Sequence, residues 1–200
     1  MTLSGRRVRA LASSWAFVVA SPAWAHSGTG LAGGFASGFA HPLSGPDHML
    51  AMVSVGLWGS FLGRPLIYLL PIVFPLVMVG GAVLGMAGVP MPPVELGITL
   101  SVIVLGGCIA AAFRAPVPVA MAVVGVFAIF HGYAHGRELP SAADPLGYSL
   151  GFVLATGLLH VAGIALGHIR NWPCGEMVIR MTGGAIAIVG LIFLAALVMR

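Results

Sequence analysis

Two short stretches hold most of the side chains that can do chemistry. "HPLSGPDHMLAM", His41–Met52, carries His41, Asp47 and His48. "FHGYAHGRE", Phe130–Glu138, carries His131, His135 and Glu138. Imidazole and carboxylate are ligands for divalent metals, and affinity order alone does not choose among Ni²⁺, Co²⁺ and Zn²⁺. On a helix, His131 and His135 differ by about 40° and His131 and Glu138 by about 20°, so all three share one face. Two imidazoles at this spacing can hold one ion. Gly132 and Gly136 leave that face uncrowded, and Glu138 is expected just beyond the helix end, contributing from the loop.

These polar groups sit in an apolar chain. It has 200 residues, 59% of them hydrophobic and 7% charged, with a mean hydropathy of +1.06. Apolar stretches long enough to cross a bilayer recur, which reads as an integral membrane protein without a separate soluble domain. A polar cluster in lipid is costly unless paired or used. The net charge of +4 is carried by arginines alone, and speaks to topology rather than to nucleic acid. The absence of lysine excludes a P-loop ATPase and Schiff-base chemistry. Any transport therefore runs on a gradient or on a partner. Cys108 and Cys174 fall in a membrane segment and a loop, and offer neither a disulfide nor a paired-cysteine metal motif.

The elements that must position the two clusters follow from Pro/Gly punctuation and charge. Residues 1–25 read as a cleavable signal peptide: Arg6, Arg7 and Arg9, an apolar "ALASSWAFVVA", then "AWA" at Ala23–Ala25. Cleavage would make His26 the mature N-terminus, where its amine and imidazole can chelate a divalent ion. Residues 26–200 read as one all-α transmembrane bundle of six spans. These are Leu31–Leu62, Pro65–Ala87, Val94–Phe113, Pro116–His135, Pro145–His168 and Met177–Met199. The first would be roughly 48 Å as one helix, against a core of about 30 Å, so a break is expected at His41–Pro46. Asp47 then sits near a helix N-terminus, where a carboxylate is favoured. Broken helices of this kind often frame transport sites.

With the mature N-terminus outside, Arg64, Arg114, Arg170 and Arg180 fall at cytoplasmic ends and Arg137 and Arg200 outside, an asymmetry that agrees with the positive-inside rule. Both clusters then lie toward the outer face at matching depth, which argues for one shared site. His160 reads either as a relay station on the inward path or as a packing histidine. His168, beside Arg170, reads as interfacial. Met49 and Met52 are expected to pack. Gly30/Gly34/Gly38, Gly81/Gly85 and Gly163/Gly167 have the small-xxx-small spacing of close helix contacts. "GYSLG", Gly147–Gly151, matches a hydrolase pattern, but sits in an apolar helix rather than a strand-turn-helix setting.

Together the H-x5-D-H and F-H-G-x-A-H-G-x-E forms, with "VELGI" at Val94–Ile98, resemble the HupE/UreJ family of nickel permeases over essentially the whole mature chain. The resemblance implies a non-enzymatic, secondary uptake of Ni²⁺ for hydrogenase or urease maturation. By that resemblance His41, Asp47, His48, His131, His135 and Glu138 carry the metal, with His26 and His160 as weaker candidates. It implies a multi-pass protein of the bacterial cytoplasmic membrane with a periplasmic N-terminus. No prosthetic group is expected. Expected partners are the divalent ion, membrane lipid and nickel chaperones of hydrogenase or urease, with a homo-oligomer left open. The rival readings are an intramembrane metal-dependent hydrolase and a metal-binding accessory protein that conducts nothing.

Overall fold

The computed structural model describes residues 30–139 and 144–199. The signal segment, His26, the loop at 140–143 and Arg200 lie outside the described residues. Among the described residues there are seven α-helices and no strand. They are α1 (Gly30–Ser44), α2 (Pro46–Leu62), α3 (Leu66–Met86), α4 (Val94–Ala110), α5 (Val117–Glu138), α6 (Pro145–Gly167) and α7 (Gly175–Val198), with a 3₁₀ turn at His168–Asn171 before α7. Four stretches are long and apolar enough to cross a membrane: Leu66–Met86, Val117–Glu138, Pro145–Asn171 and Gly175–Val198. Their outward residues, such as Leu76, Val161 and Ile192, are apolar and more than half exposed, as a lipid-facing surface requires.

Local chemistry sets the helix ends. Pro46 and Pro145 each open a helix at its first position, where the missing N–H costs nothing and φ is already helical. Asp144 caps α6, its carboxylate accepting from the Leu146 and Gly147 amides at 3.2 Å each. The expected break in the first span is narrower than His41–Pro46. α1 carries Pro42 within it and runs to Ser44, and Gly45 alone is extended, with φ −92° and ψ 106°. Glu138 is the last residue of α5 rather than a loop residue.

Glycines fix how the helices cross. A Cβ on Gly38 would run into the Tyr148 carbonyl, and one on Gly151 into the Phe35 carbonyl. Further along, Gly56 backs onto the His160 carbonyl and Gly163 onto the Val53 carbonyl. So α1 covers the first half of α6 and α2 the second, both running in its direction. Gly132 and Gly136 meet the Met78 and Ala82 carbonyls while Gly81 and Gly85 meet those of Ile129 and Tyr133, so α3 and α5 are also parallel. α4 and α7 cross antiparallel: Gly106 meets Gly183 and Ala187, and Gly190 meets Ile103. In lipid, where apolar burial drives helix association little, such close backbone approach supplies the packing. The core between the pairs holds Met52, Trp58, Leu70, Phe74, Leu105 and Ile109, each fully buried.

One end of the bundle gathers arginine. Arg170 donates to the Ser60 and Phe61 carbonyls at 2.9 and 2.8 Å, and Arg180 to the Ala110 carbonyl at 3.0 Å. Arg114 lies over the Phe61 ring, and Arg64 over the Tyr68 ring. The capped carbonyls belong to the last turns of α2 and α4, the ends where a helix favours a cation.

Candidate metal centre

Away from the arginines, where α5 ends and α6 begins, the two histidine stretches meet. The Gly132/Gly136 seam holds one face of α5 on α3, which turns His131 and His135 towards α1 and α2. The break at Gly45 brings His41, from the last turn of α1, and His48, from the first turn of α2, against them. Ring centroids are 4.8 Å apart for His41–His135, 5.0 Å for His48–His131, 5.1 Å for His48–His135 and 6.2 Å for His41–His48. Glu138 completes one side: its Oε2 is 3.5 Å from His41 Nε2 and 3.7 Å from His135 Nδ1. His41, His135 and Glu138 each offer a ligand atom, all within 4.8 Å of one another.

Two rings are already oriented. His131 Nδ1 lies 2.9 Å from the Phe127 carbonyl, which can only accept, so Nδ1 carries the proton and Nε2 keeps its lone pair. His48 Nδ1 is 3.0 Å from Asp47 Oδ1, and that oxygen also accepts the His48 amide at 2.8 Å. Again the lone pair falls on Nε2. A carboxylate or carbonyl behind one ring nitrogen is the arrangement that fixes a metal-binding histidine. The Nε2 atoms of His48, His131 and His135 are buried without a hydrogen-bond partner, while His135 Nδ1 faces Glu138. Buried polar atoms are seldom left so. A divalent ion between the rings would satisfy them. Gly45 makes room for the pair: a Cβ there would sit 3.2 Å from Asp47 Oδ1 and 3.3 Å from His48 Nδ1.

All six residues singled out in the two stretches are thus in one cluster, His131 and His135 fully inside and Glu138 at the exposed rim. His160 is not among them. It is buried deeper in the bundle, on α6, with its ring 5.5 Å from Phe74. His168 is exposed at the arginine end, its Nδ1 bonded to the Ile164 carbonyl. Met52 is core and Met49 packs against it. Ser149 lies in the second turn of α6 and is bonded to the Pro145 carbonyl, with no strand-turn-helix around it.

The sequence reading missed the aromatic wall of the site. Phe152 lies 4.1 Å from His135, Tyr148 5.8 Å from His41, and Phe74 5.5 Å from His131. Tyr148 belongs to the "GYSLG" stretch set aside as chance. Its four-residue spacing from Phe152 was a usable signal, though an aromatic stripe on an apolar helix usually means packing.

An all-helical, multi-pass membrane protein with four imidazoles and two carboxylates gathered near one end is the class that fold and site define. A family profile described as "HupE / UreJ protein" matches residues 14–193. The curated "Protein HupE" of Rhizobium leguminosarum bv. viciae is 47% identical over 173 residues, 86% of this chain and 91% of the relative. The chain belongs to the HupE/UreJ family. No solved structure matches it significantly.

Proposed function

We propose that the protein is a secondary transporter that takes up Ni²⁺, with Co²⁺ as a second candidate ion, through the His/carboxylate cluster. The observation that carries this reading is the set of unpartnered imidazole nitrogens converging inside a membrane bundle, two of them backed by Asp47 and by the Phe127 carbonyl. His41, His48, His131, His135 and Glu138 bind the ion, and Asp47 acts on it through His48 while supplying negative charge. The chain crosses the cytoplasmic membrane six times, α1 and α2 forming one broken span, after a signal peptide is removed. The arginine end faces the cytoplasm and the cluster faces the periplasm, so ions are captured outside. Inside, the ion would pass to nickel chaperones of hydrogenase or urease. The family membership supports this assignment.

The test is equilibrium metal binding by purified protein in detergent, with Ni²⁺, Co²⁺ and Zn²⁺. One tight Ni²⁺ per chain is expected, weakened at least tenfold in His135→Ala and unchanged in His168→Ala. No saturable binding by the folded wild type would refute the reading.

A further inference from the structure

Four side chains follow one another at four-residue intervals along α6: Tyr148, Phe152, Thr156 and His160. Such spacing keeps them on one slowly turning stripe. The first two wall the cluster. The last two are buried and lie beyond it. Gly56 of α2 backs onto the His160 carbonyl, eight residues past His48, which places His160 roughly 12 Å further into the bundle at 1.5 Å per residue. Phe74 stands between the levels, its ring 5.5 Å from His131 on one side and 5.5 Å from His160 on the other.

The polar groups at the deeper level are unsatisfied. The Thr156 hydroxyl and a ring nitrogen of His160 are buried without a hydrogen-bond partner. Ser101, Ser149 and Thr182 show what a helical hydroxyl does by default, each returning its proton to a carbonyl three or four residues back. Thr156 does not. Pro71 adds an acceptor: Pro75, four residues on, has no N–H to give its carbonyl, and that carbonyl faces the His160 ring. A hydrogen bond to that carbonyl takes up one ring nitrogen of His160 and leaves the other without a partner.

We infer that His160, the Thr156 hydroxyl and the Pro71 carbonyl form a second, weaker station for the transported divalent ion, on the inward side of Phe74. This rests on the transport reading above. The ligand set suits the task. One imidazole and two neutral oxygens, with no carboxylate, hold a cation less tightly than the outer cluster does. An ion must bind well enough to enter and weakly enough to leave. A strong outer and a weak inner station order those two requirements along the path.

The experiment compares wild type, His160→Ala and Thr156→Val, reconstituted alone in proteoliposomes and loaded with external Ni²⁺, with tight binding measured in detergent alongside. The inner station predicts tight binding within twofold of wild type in both variants. It predicts maximal uptake at least tenfold lower in His160→Ala and several-fold lower in Thr156→Val, with KM little changed. Thr156→Val is near-isosteric, so it folds even if His160→Ala does not. If the hydroxyl were merely spare, removing it would raise stability and leave uptake intact. Uptake within twofold of wild type in every folded variant overturns the inference and leaves the transport reading standing. No uptake by the wild type overturns both.

Discussion

Gly132→Ala tests whether the α3/α5 seam positions the site. A Cβ at Gly132 would overlap the Met78 carbonyl, a backbone atom with no rotamer to escape into. To reach ordinary van der Waals distance, α5 must retreat from α3 by roughly 1.5 Å. His131 is the residue just before it, and its ring moves with the helix. Metal–ligand distances tolerate only about 0.2 Å, so a shift several times larger detaches that imidazole. Removing only the group that orients a ligand typically costs about 10- to 100-fold in affinity, so displacing the ligand itself is expected to weaken Ni²⁺ binding at least that much. Overpacking should lower stability by about 1–3 kcal/mol. Gly125→Ala is the control. It lies on the same helix with nothing within 4 Å of its Cβ, and should keep binding intact while stabilising by up to about 1 kcal/mol. Isothermal titration and a thermal scan on both purified variants read the two effects. Wild-type affinity in a folded Gly132→Ala would refute the claim that this seam aims the histidines.

The other predictions concern ligation, proton competition, caps and topology. His48→Ala and His131→Ala should each weaken binding strongly, and the double variant by much less than the sum, since both act on one ion; additive losses in a titration would contradict a shared site. Asp47→Asn should cost less than His48→Ala in the same titration, because it removes the partner of a ligand. Neutral imidazole ligates and imidazolium does not, so affinity should fade as the solution is made acidic enough to protonate the cluster and recover on return. Ala112 follows the C-cap of α4 at a positive φ of 52°, where glycine is unstrained, so Ala112→Gly should raise the melting temperature, a gain of about 0.5–1 kcal/mol. Cys174 is exposed near the arginine end, so an impermeant thiol reagent should label it only after cells are permeabilised.

Helix existence was legible because each apolar run is bounded by proline, glycine or arginine. The α3, α4, α6 and α7 boundaries moved by no more than about three residues from the expected spans, within the usual uncertainty of helix ends. The break in the first span was placed too broadly. Pro42, Gly45 and Pro46 together suggested it, yet Pro42 is carried within α1, Pro46 opens α2 and only Gly45 leaves the helical region. The meeting of the two histidine stretches could be argued from depth alone. Their orientation could not, because the carbonyl behind His131 and the reciprocal glycine crossings depend on which helices pair. Periodicity does not show that α5 pairs with α3 rather than with a sequence neighbour. The aromatic wall stayed hidden for a related reason: Phe74 and Phe152 look like any core residue until the imidazoles beside them are seen.

The central claim is that the cluster captures a divalent ion for passage across the membrane. Its most direct test is time-resolved uptake of radiolabelled Ni²⁺ into proteoliposomes containing this protein alone, set against vesicles carrying His48→Ala/His131→Ala. The account predicts saturable, inwardly directed uptake by the wild type that is lost in the double variant. Equal uptake by both, or none by wild-type protein that still binds Ni²⁺ tightly, would contradict it.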